Sequence, residues 1–171
     1  MTPPEATPSP AEPPAQRAQA HTHAQPTRRA SPWSTKHRIK AALWKYTELL
    51  LVRPTPKPFK RWRLFLLKAF GAEVHGRPYV DATARIRYPW HLTIEDRACI
   101  GPDADIYNLG HITIRAGAVV AQQVYLCTGT HDLDDPNLPL VTAPIEIGVN
   151  AFIGVRALIM PGITVGEGGV V

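Results

Sequence analysis

Cysteine is nearly missing from this sequence: in 171 residues there are only Cys99 and Cys127. Neither belongs to a CxxC pair or to a Cys/His ligand spacing, so a disulfide framework and a zinc-finger type of site are both excluded. They read instead as small buried hydrophobes of a protein in a reducing compartment. No apolar run reaches the roughly 18 residues that a membrane span requires. The first residues carry no hydrophobic signal core either, so the expectation is a cytoplasmic protein.

Acid is scarce where base is dense. Residues 36–70 hold ten Lys and Arg against Glu48 alone, whereas residues 71–171 hold six Arg against eleven Asp and Glu. The formal net charge of +5 therefore joins a basic block to a mildly acidic domain. A nucleic-acid partner would need the folded domain itself to be basic, so none is expected. Large apolar residues are missing from residues 1–32 apart from Met1, and residues 1–35 contain eight prolines. Such a segment buries too little surface to offset its ordering entropy, and residues 1–35 are expected to be a disordered tail. His21 and His23 lack further ligands and read as part of that solvated tail.

Two helices follow. Residues 36–52 form the first, stopped by Arg53-Pro54, and residues 59–70 form the second, ending at Gly71. Ile39, Leu43, Tyr46 and Leu50 keep helical spacing, as do Trp62, Phe65, Leu66 and Ala69. Two readings fit this basic leader, residues 36–72. It is a helical cap on the next domain, or an interfacial helix pair held on an anionic membrane.

From Val74 the pattern changes to an aliphatic residue every six positions: Val74, Val80, Ile86; Ile94, Ile100, Ile106; Ile114, Val120, Leu126; then Ile147, Ile153, Ile159, Val165 and Val171. The fifth residue of most blocks is small, as in IEDRAC, IGPDAD and IRAGAV. A helix repeats at 3.6 and a sandwich strand at 2, so neither yields a period of six. Three flat six-residue sides do: they close one triangular coil, with each aliphatic residue pointing inward onto its counterpart in the coil below. The first coils begin at Val74, Ile94 and Ile114, so each carries two residues beyond eighteen, inserted around YPWHLTI and YNLGHITI. After Leu126 the repeat pauses until Ile147, leaving HDLDDPNLPLVTAP as a loop thrown out from one corner. Loops of that length on a rigid scaffold usually carry function.

These residues resemble the hexapeptide-repeat acyltransferases, and among them the colanic-acid type of exopolysaccharide O-acetyltransferase. The resemblance covers residues 36–171 and rests on LLLVRPTPKPFKRWR, RYPWHLTIEDRACIG, LCTGTHDLDDPNLPL and PIEIGVNAFIGVRALIMPGITVGEG. It implies a mainly β fold: a left-handed parallel β-helix over residues 73–171, preceded by the two short basic helices and the tail. It also implies a homotrimer with sites between subunits, and acetyl-CoA as acyl donor with no metal. The acceptor would be a hydroxyl of a saccharide or lipid-linked saccharide. Relatives continue beyond the point where this chain stops, Gly168-Gly169-Val170-Val171, so the domain is expected to be truncated.

The resemblance makes His131 the general base. The residue type suits the task, because imidazole titrates across neutrality and can take a proton from a sugar hydroxyl as it attacks a thioester. The oxyanion donor would be the Val155 N–H, after Phe152-Ile153-Gly154, and Phe152, Gly154 and Val155 would contact the thioester cofactor. Relatives commonly carry Trp where Phe152 stands and small residues where Val155-Arg156 stand. Asp132 and Asp134 would line the acceptor site, and Asp132 is also placed to orient the imidazole. His91, His111 and His131 lie 20 residues apart and would stack at one corner, as packing or as a metal ladder. Two alternatives therefore stand beside the enzyme: a non-catalytic β-helix scaffold, and a metal-binding β-helix of the carbonic-anhydrase-like kind.

Overall fold

A computed structural model describes residues 34–171. The segment read as a disordered tail lies, except for Ser34 and Thr35, outside the described residues. The first helix, α1, spans Thr35–Thr47, and the Ser34 hydroxyl caps it by accepting the His37 N–H. Its end widens into a π-helical turn, Glu48–Val52, in which the Arg53 N–H reaches back to the Glu48 carbonyl. A short 3-10 turn, Lys57–Phe59, leads into the second helix, α2, Lys60–Ala69.

The rest of the chain is strand and corner. Sheet A takes Glu73–Val74, Leu92–Ile94, Ile112–Ile114, Ile145–Ile147 and Thr164–Val165. Sheet B takes Tyr79–Val80, Cys99–Ile100, Val119–Val120 and Phe152–Ile153, and sheet C takes Arg85–Ile86, Asp105–Tyr107, Tyr125–Cys127 and Leu158–Ile159. All pairings within these three sheets are parallel, and the chain visits A, B and C in turn.

The six-residue period sets the register. Val74, Ile94, Ile114, Ile147 and Val165 align in sheet A; Val80, Ile100, Val120 and Ile153 in sheet B; Ile86, Ile106, Leu126 and Ile159 in sheet C. All of these side chains are buried. Each contributes about 1.5–3 kcal/mol relative to exposure, which is what closes so short a coil. Ala98, Ala118 and Ala151 are buried where sheet A turns toward sheet B, and Ala84 and Ala104 where B turns toward C. The turns themselves use left-handed backbone, at Arg97, Gly117, Asn150 and Gly168 on one corner and at Asp103, Gln123 and Arg156 on the other.

The corner between sheets C and A takes all the insertions. In the first coil it is the 3-10 turn Pro89–His91, held by fully buried Asn108 of the next coil, which accepts the Tyr88 N–H and donates to the Tyr88 carbonyl. In the third coil it throws out an antiparallel hairpin, Gly129–His131 paired with Leu140–Thr142. What reads in sequence as a loop is therefore half ribbon.

Helices α1 and α2 meet the first coil. The Trp44 indole donates to the Ile86 carbonyl and lies 5.1 Å from the Phe70 ring. Arg63, only 1 % exposed, donates to the Val80 and Pro56 carbonyls and the Thr55 hydroxyl. The face that packs is thus Trp44, Val52, Arg63, Leu66 and Leu67. The stripe marked by helical spacing, Ile39, Leu43, Tyr46 and Leu50, faces outward, and so do Trp62 and Phe65. The buried indole satisfies its N–H on a strand-end carbonyl, a polar demand that a Leu or Ile stripe does not answer.

Candidate active site

The hairpin at the corner between sheets C and A positions His131. Gly129 begins it, and a Cβ there would come within 2.6 Å of Leu109 Cδ1, so a larger residue would require that side chain to move aside. His131 pairs with Leu140 across the ribbon and is exposed. Its Nδ1 lies 2.7 Å from the Leu138 carbonyl oxygen. A carbonyl only accepts, so Nδ1 must carry the proton, and Nε2 is left as the basic nitrogen. Leu138 supplies that carbonyl from a left-handed conformation, φ 46°. Such strain in a non-glycine residue is tolerated where the surroundings hold it, here by the Leu138 N–H on the Asp135 carbonyl.

The acidic residues of the hairpin shape its tip rather than the imidazole. Asp132 accepts the Asp134 N–H, and Asp135 accepts the N–H and side-chain amide of Asn137. The Asp132 N–H bonds to the Pro139 carbonyl, closing the ribbon one step beyond His131. Orientation of the ring comes from Leu138, which sequence spacing did not single out. The only signal available was its place before Pro139 in a short turn.

His131 is not the third rung of a histidine ladder. Ile145 aligns with Ile112 and Leu92, so the position stacked on His91 and His111 belongs to Pro144. The inserted hairpin carries His131 away from that corner. His91 Nδ1 faces the Asn108 carbonyl at 3.2 Å, and His111 Nε2 faces the Thr93 hydroxyl at 2.9 Å. Among the described residues no group of three or more His, Cys, Asp or Glu is placed to hold a metal ion.

Phe152, Gly154 and Val155 lie on the fourth coil, at the end of sheet B and the corner leading to sheet C. Phe152 and Val155 are exposed. Gly154 donates to the Val171 carbonyl at 2.7 Å, and a Cβ at Gly154 would meet that oxygen at 2.9 Å. The next corner bonds come from Arg156, to the Gln122 carbonyl, and Ala157, to the Gly154 carbonyl. The Val155 N–H has no hydrogen-bond partner among the described residues. Arg156 folds back so that its Nε donates to Gln123 Oε1 at 2.7 Å.

In one chain these parts do not meet. His131 leaves the corner where sheet C ends, whereas Val155 sits at the corner where sheet C begins, so the width of that sheet separates them. Tyr125, on the outer face of the same sheet, is no rival base: burial, then its hydrogen bond with Cys127, pushes its hydroxyl up to about 12.

No family model matches the chain. It is 38% identical over 133 residues to the colanic acid biosynthesis acetyltransferase WcaF of Escherichia coli K12, covering 78% of this chain and 73% of that protein. Among solved structures, a galactoside acetyltransferase in complex with coenzyme A superposes with a TM-score of 0.63 at 20% identity, over 81% of this chain and 73% of that one. A hexapeptide-repeat acetyltransferase of Vibrio cholerae O1 biovar El Tor, complexed with acetyl coenzyme A, superposes at 0.58 and 14% identity, over 81% of this chain and 87% of that one. At such identities the two structural likenesses speak to fold.

Proposed function

The chain belongs to the hexapeptide-repeat acetyltransferases, with the colanic acid biosynthesis enzyme among its relatives, and we propose that it moves an acetyl group from acetyl-CoA to a saccharide hydroxyl with His131 as general base. The observation that carries this reading is the Nδ1–H bond from His131 to the Leu138 carbonyl, which leaves Nε2 basic on an exposed ring. In the step so read, Nε2 takes the acceptor's hydroxyl proton as the oxygen attacks the thioester carbon. The tetrahedral oxyanion rests on the Val155 N–H, and collapse releases coenzyme A, whose sulfur recovers the proton from the imidazolium. Phe152 and Gly154 would flank the thioester, and Asp132 and Asp134 would border the acceptor. A saccharide acceptor is supported by the names of the relatives, a colanic acid biosynthesis acetyltransferase and a galactoside acetyltransferase, while a lipid-linked saccharide of exopolysaccharide synthesis is what the sequence resemblance adds.

The finer architecture belongs to the same reading. The order of sheets A, B and C supports a parallel β-helix over residues 73–171, and the resemblance supports its left hand. The separation of His131 from Val155 supports a homotrimer, because a hairpin from one copy can then meet a neighbour's coil at three equivalent clefts. Acetyl-CoA as donor supports a cytoplasmic site of action. The residue 36–72 leader is read as a separate unit standing against the first coil.

The test is acetyl transfer by the purified chain to a panel of saccharides and lipid-linked saccharides. Thiol release and the mass gain of one acetyl group are followed, with light scattering in parallel. Acceptor-dependent transfer that His131→Ala abolishes is expected. Transfer that survives that substitution, or full activity in a stable monomer, would overturn the reading.

A further inference from the structure

The two leader helices expose an apolar surface that no described residue covers. Ile39, Leu43, Tyr46 and Leu50 run along α1 and its π-helical end at 57%, 58%, 62% and 64% exposure. Their spacing of four, three and four keeps them on one stripe. Trp62 and Phe65 are exposed on α2, their rings stacked 5.7 Å apart. The stripes join, because the Trp62 indole donates to the Leu51 carbonyl at 2.9 Å. An open groove of about 540 Å³ lies between them, lined by Leu50, Leu51, Pro54, Phe59 and Trp62 among others. Monomer surfaces rarely leave so many large side chains in one patch without a partner.

Charge indicates which partner. All salt bridges among the described residues lie inside the coils: Arg87 with Asp105, Arg97 with Asp96, and Arg115 with Glu95 and Glu146. No Lys or Arg of the leader forms a salt bridge with the acidic domain it adjoins, though Lys40 lies over the Trp90 ring and Arg63 donates to the Val80 carbonyl. Arg63 alone is buried among carbonyls, while Lys60, Arg61 and Lys68 join Arg77 around a cleft of about 470 Å³ beside Phe65. A second leader face is a poor occupant, since ten cations against Glu48 would confront the same set. The preceding segment is also a poor one, with Met1 and Trp33 its only large apolar side chains. An anionic lipid bilayer answers both features: shallow burial for the Leu, Ile, Tyr, Trp and Phe side chains, and phosphates for the Lys and Arg that flank them.

We propose that α1, the Glu48–Val52 turn and α2 form a docking face that seats this protein on an anionic bilayer through Ile39, Leu43, Tyr46, Leu50, Trp62 and Phe65. The docking stands on the leader alone. Its consequence, that an acceptor carried on lipid is met at the membrane surface, rests on the acetyltransferase reading above.

The full chain is sedimented with phosphatidylcholine vesicles, and with vesicles that also contain phosphatidylglycerol, at low and at high salt. Wild type is expected to bind the anionic vesicles at low salt, at least tenfold less at high salt, and neutral vesicles weakly. Each cation removed should weaken binding about fivefold, so Lys60→Gln/Arg61→Gln/Lys68→Gln should lose on the order of a hundredfold. Leu43→Asp/Leu50→Asp/Phe65→Asp, three exposed positions, should fold normally and no longer bind. Transfer to a soluble saccharide, measured on the same preparations, should be unchanged in both variants. Vesicle binding without any transfer would sink the enzymatic reading and leave the docking intact. Equal partitioning into both lipids, none into either, or wild-type binding by the aspartate variant would overturn the docking. So would a change of oligomeric state in that variant, which would make the face a contact between copies.

Discussion

Replacing His131 by Asn is the sharpest perturbation of the proposed site. The asparagine amide can still donate to the Leu138 carbonyl, now 2.7 Å from Nδ1, but it offers no nitrogen able to take a proton. Removing a general base costs about 10²–10⁴ in rate, which is about 2.7–5.4 kcal/mol of barrier. Stability should hardly move, because the side chain is exposed and its one bond contributes about 0.5–1.5 kcal/mol at most. The assay pairs thiol release at saturating acetyl-CoA with thermal unfolding of the same preparation. A variant that keeps turnover within about tenfold of wild type would refute the assignment of the base.

Three more outcomes follow from the geometry. Val155→Pro deletes the candidate oxyanion donor at a position aligned with Pro102 two coils away, so the corner tolerates the ring; kcat should drop about 10²–10³ while the unfolding midpoint holds, and undiminished kcat would acquit this N–H. Trp44→Ala should cost about 3–5 kcal/mol in denaturant titrations, whereas neighbouring Leu43→Ala should stay within about 0.5 kcal/mol; the reverse order would mean that the outward stripe is the packed one. Burial holds the Glu48 carboxyl above the ordinary carboxylate range, although the Ile86 N–H and then Arg53 pull the other way. The folded chain therefore binds that proton more tightly than the unfolded one, and the stability it contributes is present at acid pH and lost as pH rises through the raised value. Glu48→Gln should remove that decline in melting temperature, and an unaltered pH slope would contradict the burial effect.

The coil was legible because its information is local and repeated. Every inward aliphatic residue from Val74 to Val165 aligns as a period of six requires, and the extra residues near Tyr88 and Tyr107 fall at one corner. The histidines show where counting fails. A spacing of 20 stacks His111 on His91, but the hairpin breaks the count, and Pro144 takes the rung that His131 would have held. The resumption of the repeat at Ile147 already held the answer: His91 and His111 stand three residues before Ile94 and Ile114, and three before Ile147 stands Pro144, whereas a fixed step of 20 ignores the pause. The tautomer of His131 was hidden, because its partner is a backbone carbonyl, which every residue possesses.

The leader was legible as two helices but not in which of their faces packs. A period of 3.6 marks an apolar stripe without saying what meets it, and these helices have two candidate faces. The coil takes the face with Trp44 and Arg63, since both carry N–H groups that satisfy exposed strand-end carbonyls at Ile86 and Val80. An open first rung presents carbonyls as well as methyl groups, so its best cover is amphipathic rather than purely aliphatic. The aliphatic stripe is then left over, and the Lys and Arg beside it form no salt bridge with the coils. That division puts the acid-rich coils with the proposed chemistry on one side of the molecule's charge and the leader on the other. A helix pair serving only to cap the coil would need Trp44, Val52, Arg63, Leu66 and Leu67, and nothing in that role calls for Ile39, Leu43, Tyr46 or Leu50 to be apolar.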